Sequence, residues 1–475
     1  MSRTPFVGRK TQLNLLQRVV SKQTRSGITA VYGRRRIGKT RLVREAFRDY
    51  PLLHFEGLEG GSSAEQKKHF LKTLYRHSEQ ETHRLASSSD WGDLLIFLAE
   101  HTTAGKPCVI FFDEFQWMAA GRSELVGKLK YVWDNYFHDK NGIHLILCGS
   151  VSSFLVKKVI RSKALYGRID QIVHLGPLDF HDVRFGFFQT RSLREALEYY
   201  LVMGGVPKYP EMYDTARSVR LNLENLCFEP GAYFHDEFER LFGSHFGKIR
   251  HYRAIVEFLA SRGFGTRNEI AKHTRLSSGG RISGFLENLV LAGFIEACGS
   301  VHNPHRISLK RYRISDPFLR FYFRFIRPLG DRIARGGSIP LHQALPDKRY
   351  EVFLGFAFES FCHQHALVIA KRLGFSGVAF EFGPWFKKTT ISKGAQIDLV
   401  FKRADNVITL CEVKYRRQVT QEVIDEVEAK VDALDAPKST TIEKVLISAL
   451  PPNREVYDAG YFSAILTADD FATSS

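Results

Sequence analysis

Residues 33–40 read Gly-Arg-Arg-Arg-Ile-Gly-Lys-Thr and fit the spacing G-x-x-x-x-G-K-[ST]. The apolar run Ile28–Tyr32 precedes them and a helical stretch, Arg41–Phe47, follows. Each residue type has a task there. The glycines let backbone N–H groups close around phosphate oxygens. The start of the helix adds partial positive charge. Lys39 suits the β- and γ-phosphates, and the Thr40 hydroxyl suits Mg²⁺. The expected ligand is ATP, or another purine nucleoside triphosphate, with Mg²⁺. It would be held by Gly33, Arg34, Arg35, Arg36, Ile37, Gly38, Lys39, Thr40 and Arg41.

A second group completes this chemistry. The apolar run Cys108–Phe112 ends in Asp113-Glu114. Asp113 would hold Mg²⁺, and Glu114 would orient and deprotonate the attacking water. A further run, Leu145–Cys148, ends in Gly149-Ser150. Ser150 reads equally as a polar sensor of the γ-phosphate or as a turn serine.

Near the other end of the chain, Asp398 lies in Gln-Ile-Asp-Leu-Val-Phe and Glu412 and Lys414 lie in Leu-Cys-Glu-Val-Lys-Tyr. The spacing predicts Asp398 and Glu412 on adjacent strands, with Glu412 and Lys414 on one face. Two carboxylates offer hard oxygens to Mg²⁺ or Mn²⁺, and a neighbouring lysine can stabilise charge on a phosphate. Ionisable groups among Ile397, Leu399, Leu410 and Val413 need a reason to be there. The set resembles the PD-(D/E)XK nucleases. That resemblance adds Glu359, an acid on the preceding helix, as a further catalytic residue. His363 and His365 share that helix but not a face, and are expected not to be ligands.

The segments Phe6-Val7-Gly8-Arg9, Phe112-Asp113-Glu114, Leu147–Ser150, Leu165-Tyr166-Gly167-Arg168 and Gly204-Gly205-Val206-Pro207 resemble the archaeal-type AAA+ ATPases of the STAND-related branch. The resemblance covers residues 1–240. It implies that Val7, Gly8 and Arg9 lie near the adenine, and that Pro207 touches the nucleotide from a helical lid. Arg168 would be an arginine finger or sensor, or else half of an ion pair. An endonuclease-like domain accompanies such ATPases, so the two resemblances together span nearly the whole chain.

Between them the charge is lopsided. Of a net charge of +17, about +12 lies between Arg240 and Pro340. Helical stretches at His251–Ser261, Thr266–Lys272 and Ser278–Ala292, then strand-like runs at Ile295–Val301 and Tyr312–Ile314, predict a winged helix. The turn Leu276–Gly280 splits its last two helices. Arg267, Lys272, Arg275 and Arg281 would meet phosphates or base edges of DNA, phosphates being the commoner contact. Packing as a lid or between subunits is the other reading of this module. The stretch Asp316–Ile326 mixes aromatics with arginines. It reads either as a stacking surface or as a packed helix with snorkelling arginines.

The expected fold is therefore α/β. It comprises a P-loop NTPase (AAA+) parallel sheet with helical lid (1–240), a basic winged-helix domain and linker (241–340), and a restriction-endonuclease-like α/β domain (341–475). The linker is expected over Pro328–Lys348, and one helix over Tyr350–Leu373. Six scattered cysteines form no Cys-x-x-Cys pair and suggest neither zinc nor disulfides. The opening Met-Ser-Arg-Thr-Pro lacks the apolar stretch of a signal peptide, and no run approaches the ~20 apolar residues of a membrane helix. The expectation is a cytoplasmic homo-oligomer that hydrolyses ATP, binds double-stranded DNA and cleaves it. The alternative is a nucleotide-controlled DNA-binding or oligomerisation switch that cuts little or nothing.

Overall fold

A computed structural model describes residues 5–21, 26–77, 90–102, 107–119, 124–150, 159–160, 162–246, 250–276, 280–298, 310–337, 339–387, 395–434 and 436–473. The chain divides into two compact units, residues 1–177 and 178–475.

The first unit is built on five strands: β1 (Gly27–Gly33), β2 (Leu52–Glu56), β3 (Cys108–Asp113), β4 (Ile143–Ser150) and β5 (Ile169–Leu175). They form one parallel sheet in the order β2-β3-β4-β1-β5. β4 is buried along its whole length, as a strand covered on both faces must be. Parallel strands end on a common edge, where ligands gather. Register places Gly33 beside Ser150, and Glu56 beside Asp113. Aromatic packing consolidates one side: Phe55 stacks on Phe70 at 4.3 Å, and Phe70 meets Trp91 edge-on at 5.5 Å. The helix carrying Trp91 begins with a reciprocal cap between Asp90 and Asp93.

The second unit holds two sheets. Three helices, Arg250–Arg262, Arg267–Thr274 and Gly280–Leu291, accompany a small antiparallel sheet of β6 (Gly265–Thr266), β7 (Ile295–Cys298) and β8 (Arg311–Ile314), ordered β6-β8-β7. Thr266 and Glu269 cap each other at the start of the middle helix. The turn residues Ser277, Ser278 and Gly279, and the end of the expected strand at Val301, lie outside the described residues. The larger sheet contains β9 (Phe380–Lys387), β10 (Ala395–Arg403), β11 (Val407–Lys414), β12 (Thr441–Ser448) and β13 (Ala464–Thr467), ordered β13-β12-β11-β10-β9. β9, β10 and β11 run antiparallel, whereas β11, β12 and β13 run parallel. Helix Asp347–Gln364 packs on β10 and β11, and helix Glu422–Leu434 packs on β10.

The two compact units divide after Pro177, inside the stretch 1–240 expected as one domain. Helix Leu193–Met203, expected with the first part, packs on Asp347–Gln364. The Tyr350 hydroxyl donates to Glu198 at 3.0 Å, and Tyr200 meets Phe361 edge-on at 5.8 Å. Two expectations change. The expected linker contains helices Gly330–Ala334 and Leu341–Ala344 and buries Ile333, Ile339 and Leu345. The helix expected over Tyr350–Leu373 breaks at His365, and its two parts meet at 70°. Among the described residues no single helix is long and apolar enough to cross a membrane.

Candidate functional site

In the first unit the phosphate loop joins β1 to helix Lys39–Ala46. Gly38, just before the helix, has φ +90°, a conformation that suits glycine. A side chain at Gly33 would come within 2.3 Å of the Leu175 carbonyl, so only glycine fits between β1 and β5. Lys39 is buried and its Nζ donates to the Arg34 carbonyl at 3.1 Å.

The Thr40 hydroxyl donates to Asp113 Oδ2 at 2.7 Å. A hydroxyl and a carboxylate at that separation supply two hard oxygens and fit Mg²⁺. Burial pushes the Asp113 carboxyl up. Hydrogen bonds with His54, Thr40 and Cys148 outweigh burial and hold it below its ordinary value. Asp113 is therefore a carboxylate at neutral pH, as a cation ligand must be. His54, on β2, stacks on Phe111 at 4.6 Å and brings Nε2 to 3.6 Å from Asp113.

Glu114 takes a left-handed conformation, φ +47°, which ends β3 abruptly. Its Oε2 accepts from Ser150 Oγ at 3.2 Å and from the Gln116 amide. Both donors meet the same oxygen, so Oε1 is the one offered to a water.

The remaining loop residues have structural partners. Arg35 pairs with Glu59 at 2.8 Å and lies over the Trp117 ring. Arg36 has φ +65°. The Ile37 carbonyl accepts from Arg9 at 3.3 Å, and Arg9 also reaches the Pro177 carbonyl. Arg9 thus braces the loop backbone. Arg41 donates to the Pro5 carbonyl at 2.9 Å, and Val7 is half-buried nearby in sequence.

Arg168 makes two bonds to Asp134, at 2.6 and 2.8 Å. The ion-pair alternative describes this arginine as it stands. Acting as a finger would require it to leave a bidentate partner. Pro207 belongs to the second unit. There it follows Gly205, whose close approach to the Leu178 carbonyl leaves no room for a side chain.

The second unit brings together Glu359, Asp398, Glu412 and Lys414, from one helix and two adjacent strands. Glu412 is 1% exposed. Its Oε1 lies 2.7 Å from Lys414 Nζ, and its Oε2 lies 2.5 Å from Lys430 Nζ. Lys414 also pairs with Glu426. Glu426 and Lys430 sit one turn apart on helix Glu422–Leu434 and were not expected from the sequence. An amphipathic pattern after β11 was the available signal.

Asp398 Oδ2 accepts from the Val413 N–H at 3.3 Å. Asp398 lies where the β9–β10 register shifts, between Ile397, opposite Trp385, and Val400, opposite Gly383. Pro384, opposite this step, has no N–H for the ladder. The Asp398 carbonyl instead accepts from His363 Nε2 at 2.7 Å. His363 therefore anchors the strand at the acid. Burial and then Arg313 lower its pKa to about 3, so it stays neutral. His365 Nδ1 bonds the Phe361 carbonyl at 2.8 Å.

Burial and the neighbouring Glu412 charge raise Asp398 to about 6. Burial and then Asp398 raise Glu359 to about 7, with Arg313 opposing. Burial lowers Lys414, but Glu412 and Glu426 outweigh it and raise the net value. Oxygens poor in protein donors, in partly buried carboxyls pushed upward, suit a hard cation. Among the described residues, however, only Asp179, His181 and Asp182 bring three ligand atoms mutually within 4.8 Å. Asp179 is already used there as a helix cap. Glu359, Asp398 and Glu412 do not converge so closely.

In the basic segment, Lys272, Arg275 and Arg281 are exposed and Arg267 is half-buried. In the aromatic stretch that follows, Phe318, Phe321, Tyr322 and Phe325 are buried, as the packed-helix reading expects.

Two family models match separate stretches of the chain. Residues 6–212 match the family model described as an ATPase domain predominantly from Archaea. Residues 322–429 match a model for archaeal and bacterial proteins of unknown function. An uncharacterized protein of Methanocaldococcus jannaschii is 27% identical over 419 residues, covering 86% of this chain and 88% of that one. Among solved structures, a Walker-type ATPase of Pyrococcus abyssi is 20% identical, with a TM-score of 0.49, over 67% of this chain and 96% of that one. The ORC2 protein of Aeropyrum pernix, in ADPNP–ADP complexes, is 14% identical, with a TM-score of 0.41, over 70% and 96%. At these scores the structural likenesses say nothing of ligand or partner. Motif, sheet order and family model together make residues 6–212 an archaeal-type P-loop ATPase domain.

Proposed function

We propose that the chain couples this ATPase to Mg²⁺-dependent cleavage of DNA by the acid–lysine cluster of the second unit. One observation carries the reading. Glu412, buried and flanked by Lys414, sits on a strand adjacent to that of Asp398, and the helix carrying Glu359 packs on both strands. A helix, three antiparallel strands, a second helix and a parallel strand follow one another around the cluster, an order that supports the restriction-endonuclease-like reading. The DNA reading rests on the excess positive charge of residues 240–340 and on the exposed Lys272, Arg275 and Arg281. Three helices with a small sheet support the winged-helix assignment of that segment.

In the first unit Thr40 and Asp113 would hold Mg²⁺, which screens phosphate charge when bound. Lys39 would clamp the phosphates. Glu114 Oε1 would take a proton from the attacking water, with Ser150 and Gln116 holding the other oxygen. In the second unit Asp398 and Glu412 would hold Mg²⁺ or Mn²⁺. Lys414 would neutralise charge on the scissile phosphate as water adds to phosphorus and the P–O bond to the leaving strand breaks. The departing oxygen takes a proton. Lys430 shares Glu412, so it would position that carboxylate.

A specific observation favours the rival switch reading: Lys414 and Lys430 both lie against Glu412, and Lys430 already bonds its Oε2. Incubating plasmid and linear DNA with the full chain in Mg²⁺ or Mn²⁺ decides between them. Cleavage abolished by Asp398→Asn, with ATPase intact, supports the nuclease. Absence of cleavage in either metal supports the switch.

A further inference from the structure

A cleft of 940 Å³ in the second unit is lined by the acids Glu359 and Asp398 and also by arginines of the basic segment. It lies at the top of the range of about 300–1,000 Å³ for small-ligand pockets. Its walls carry seven arginines against three acids, and one of those acids, Glu257, is paired with Arg327 at 2.8 Å. That excess suits a polyanion. Within the lining, Arg320 buries Nε and Nη1, and Arg313 buries Nη2, none with a hydrogen-bond partner among the described residues. Buried guanidinium N–H groups without acceptors are costly. Buried, these groups add positive charge behind the wall, and the exposed Arg324 offers its N–H groups to phosphate oxygens.

The same cleft exposes aromatic faces. Phe356 is 63% exposed, Phe264 48% and Phe386 42%. Arg311 lies 4.6 Å from the Phe264 ring centre and 5.2 Å from that of Phe386. Alternating guanidinium and phenyl surfaces match a strand that alternates phosphate and base. In a duplex the base faces are already stacked on one another, so such surfaces gain nothing from it.

We propose that this cleft receives an unpaired nucleic-acid strand, with phosphates on its arginines and bases on its phenylalanines, and leads it to Glu359 and Asp398. The destination rests on the nuclease reading above; the occupancy of the cleft does not. It differs from the double-stranded partner expected from sequence, which the exposed basic helices would still serve alongside.

The test is fluorescence anisotropy on the full chain in EDTA, where no cleavage intervenes. The probes are oligo(dT) of about 15 nucleotides, an abasic oligomer of equal length, and a blunt duplex. The proposal expects oligo(dT) to bind about tenfold more tightly than either alternative. It expects Arg324→Ala and Phe356→Ala, both at exposed positions, each to weaken oligo(dT) binding severalfold, with the circular dichroism spectrum unchanged. Equal affinity for duplex and single strand, or binding indifferent to both substitutions, overturns it. If oligo(dT) binds through the cleft but no metal supports cleavage, the nuclease reading fails and the cleft assignment stands. If DNA is cut while both substitutions leave binding unchanged, the reverse holds.

Discussion

The phosphate loop and the acid–lysine cluster assemble their charged groups in opposite ways. The loop draws its donors from eight consecutive residues and from backbone N–H groups at one helix start. The cluster gathers Glu359, Asp398, Glu412, Lys414 and Lys430 from two helices and two strands. A backbone cradle is fixed locally by Gly38 and Gly33. A side-chain cluster depends on packing, and here two lysines hold its most buried acid. Damage should therefore stay chemical in the first unit and become structural in the second.

The largest effect should come from Glu114→Gln. Loss of a positioned base costs about 10²–10⁴-fold in turnover, while ATP binding measured by calorimetry stays. Undiminished turnover would show that another residue activates the water.

Next comes Glu412→Ala. Removing one partner of a buried ion pair costs about 3–5 kcal/mol; here Lys430 loses its acid, while Lys414 keeps Glu426. Chemical denaturation should show the second unit weakened by that order and the first unit unchanged. Loss of less than about 1 kcal/mol would mean that the lysines find water readily, as surface pairs do.

A smaller effect sharpens the same contrast through pH. Burial and then Asp398 raise Glu359 to about 7 from an ordinary 4.5. Charging it is therefore unfavourable in the folded state. The cost grows as pH rises from the ordinary value to about 7 and is constant above that. Glu359→Gln should raise the melting temperature at pH 8 in EDTA by about 3 °C or more, and by much less at pH 4.5. Asp113 is held low instead, so its contribution is present at neutral pH and fades as pH falls through its depressed value. The smallest effect is expected for Arg168→Ala. A half-exposed ion pair is worth about 1 kcal/mol or less, and ATP turnover should change less than about threefold if Arg168 serves only Asp134.

What the sequence made legible follows the same line. β1, β3 and β4 are uninterrupted apolar runs ending in chemistry, and their bounds were readable within a residue or two. β5 alternates buried and exposed residues and leaves Ile172 45% exposed, so it carries no core-strand signature. β9 contains Gly383-Pro384, which reads as a turn. It survives because an edge strand tolerates proline. His363 looked idle by helical spacing. Its role emerges only from the register shift that leaves the Asp398 carbonyl to it. The division after Pro177 was invisible because the helices beyond it owe their burial to Tyr350 and Phe361, far along the chain.

The most direct test of the coupled account is a cleavage time course in Mg²⁺ with ATP and without it. It should compare the unaltered chain with Lys39→Ala and Asp398→Asn. The account predicts that ATP changes the cleavage rate of the unaltered chain. It also predicts that Lys39→Ala abolishes the ATP response but retains basal cutting, and that Asp398→Asn abolishes cutting while hydrolysing ATP. Cleavage that persists in Asp398→Asn, or that ignores ATP altogether, would contradict it.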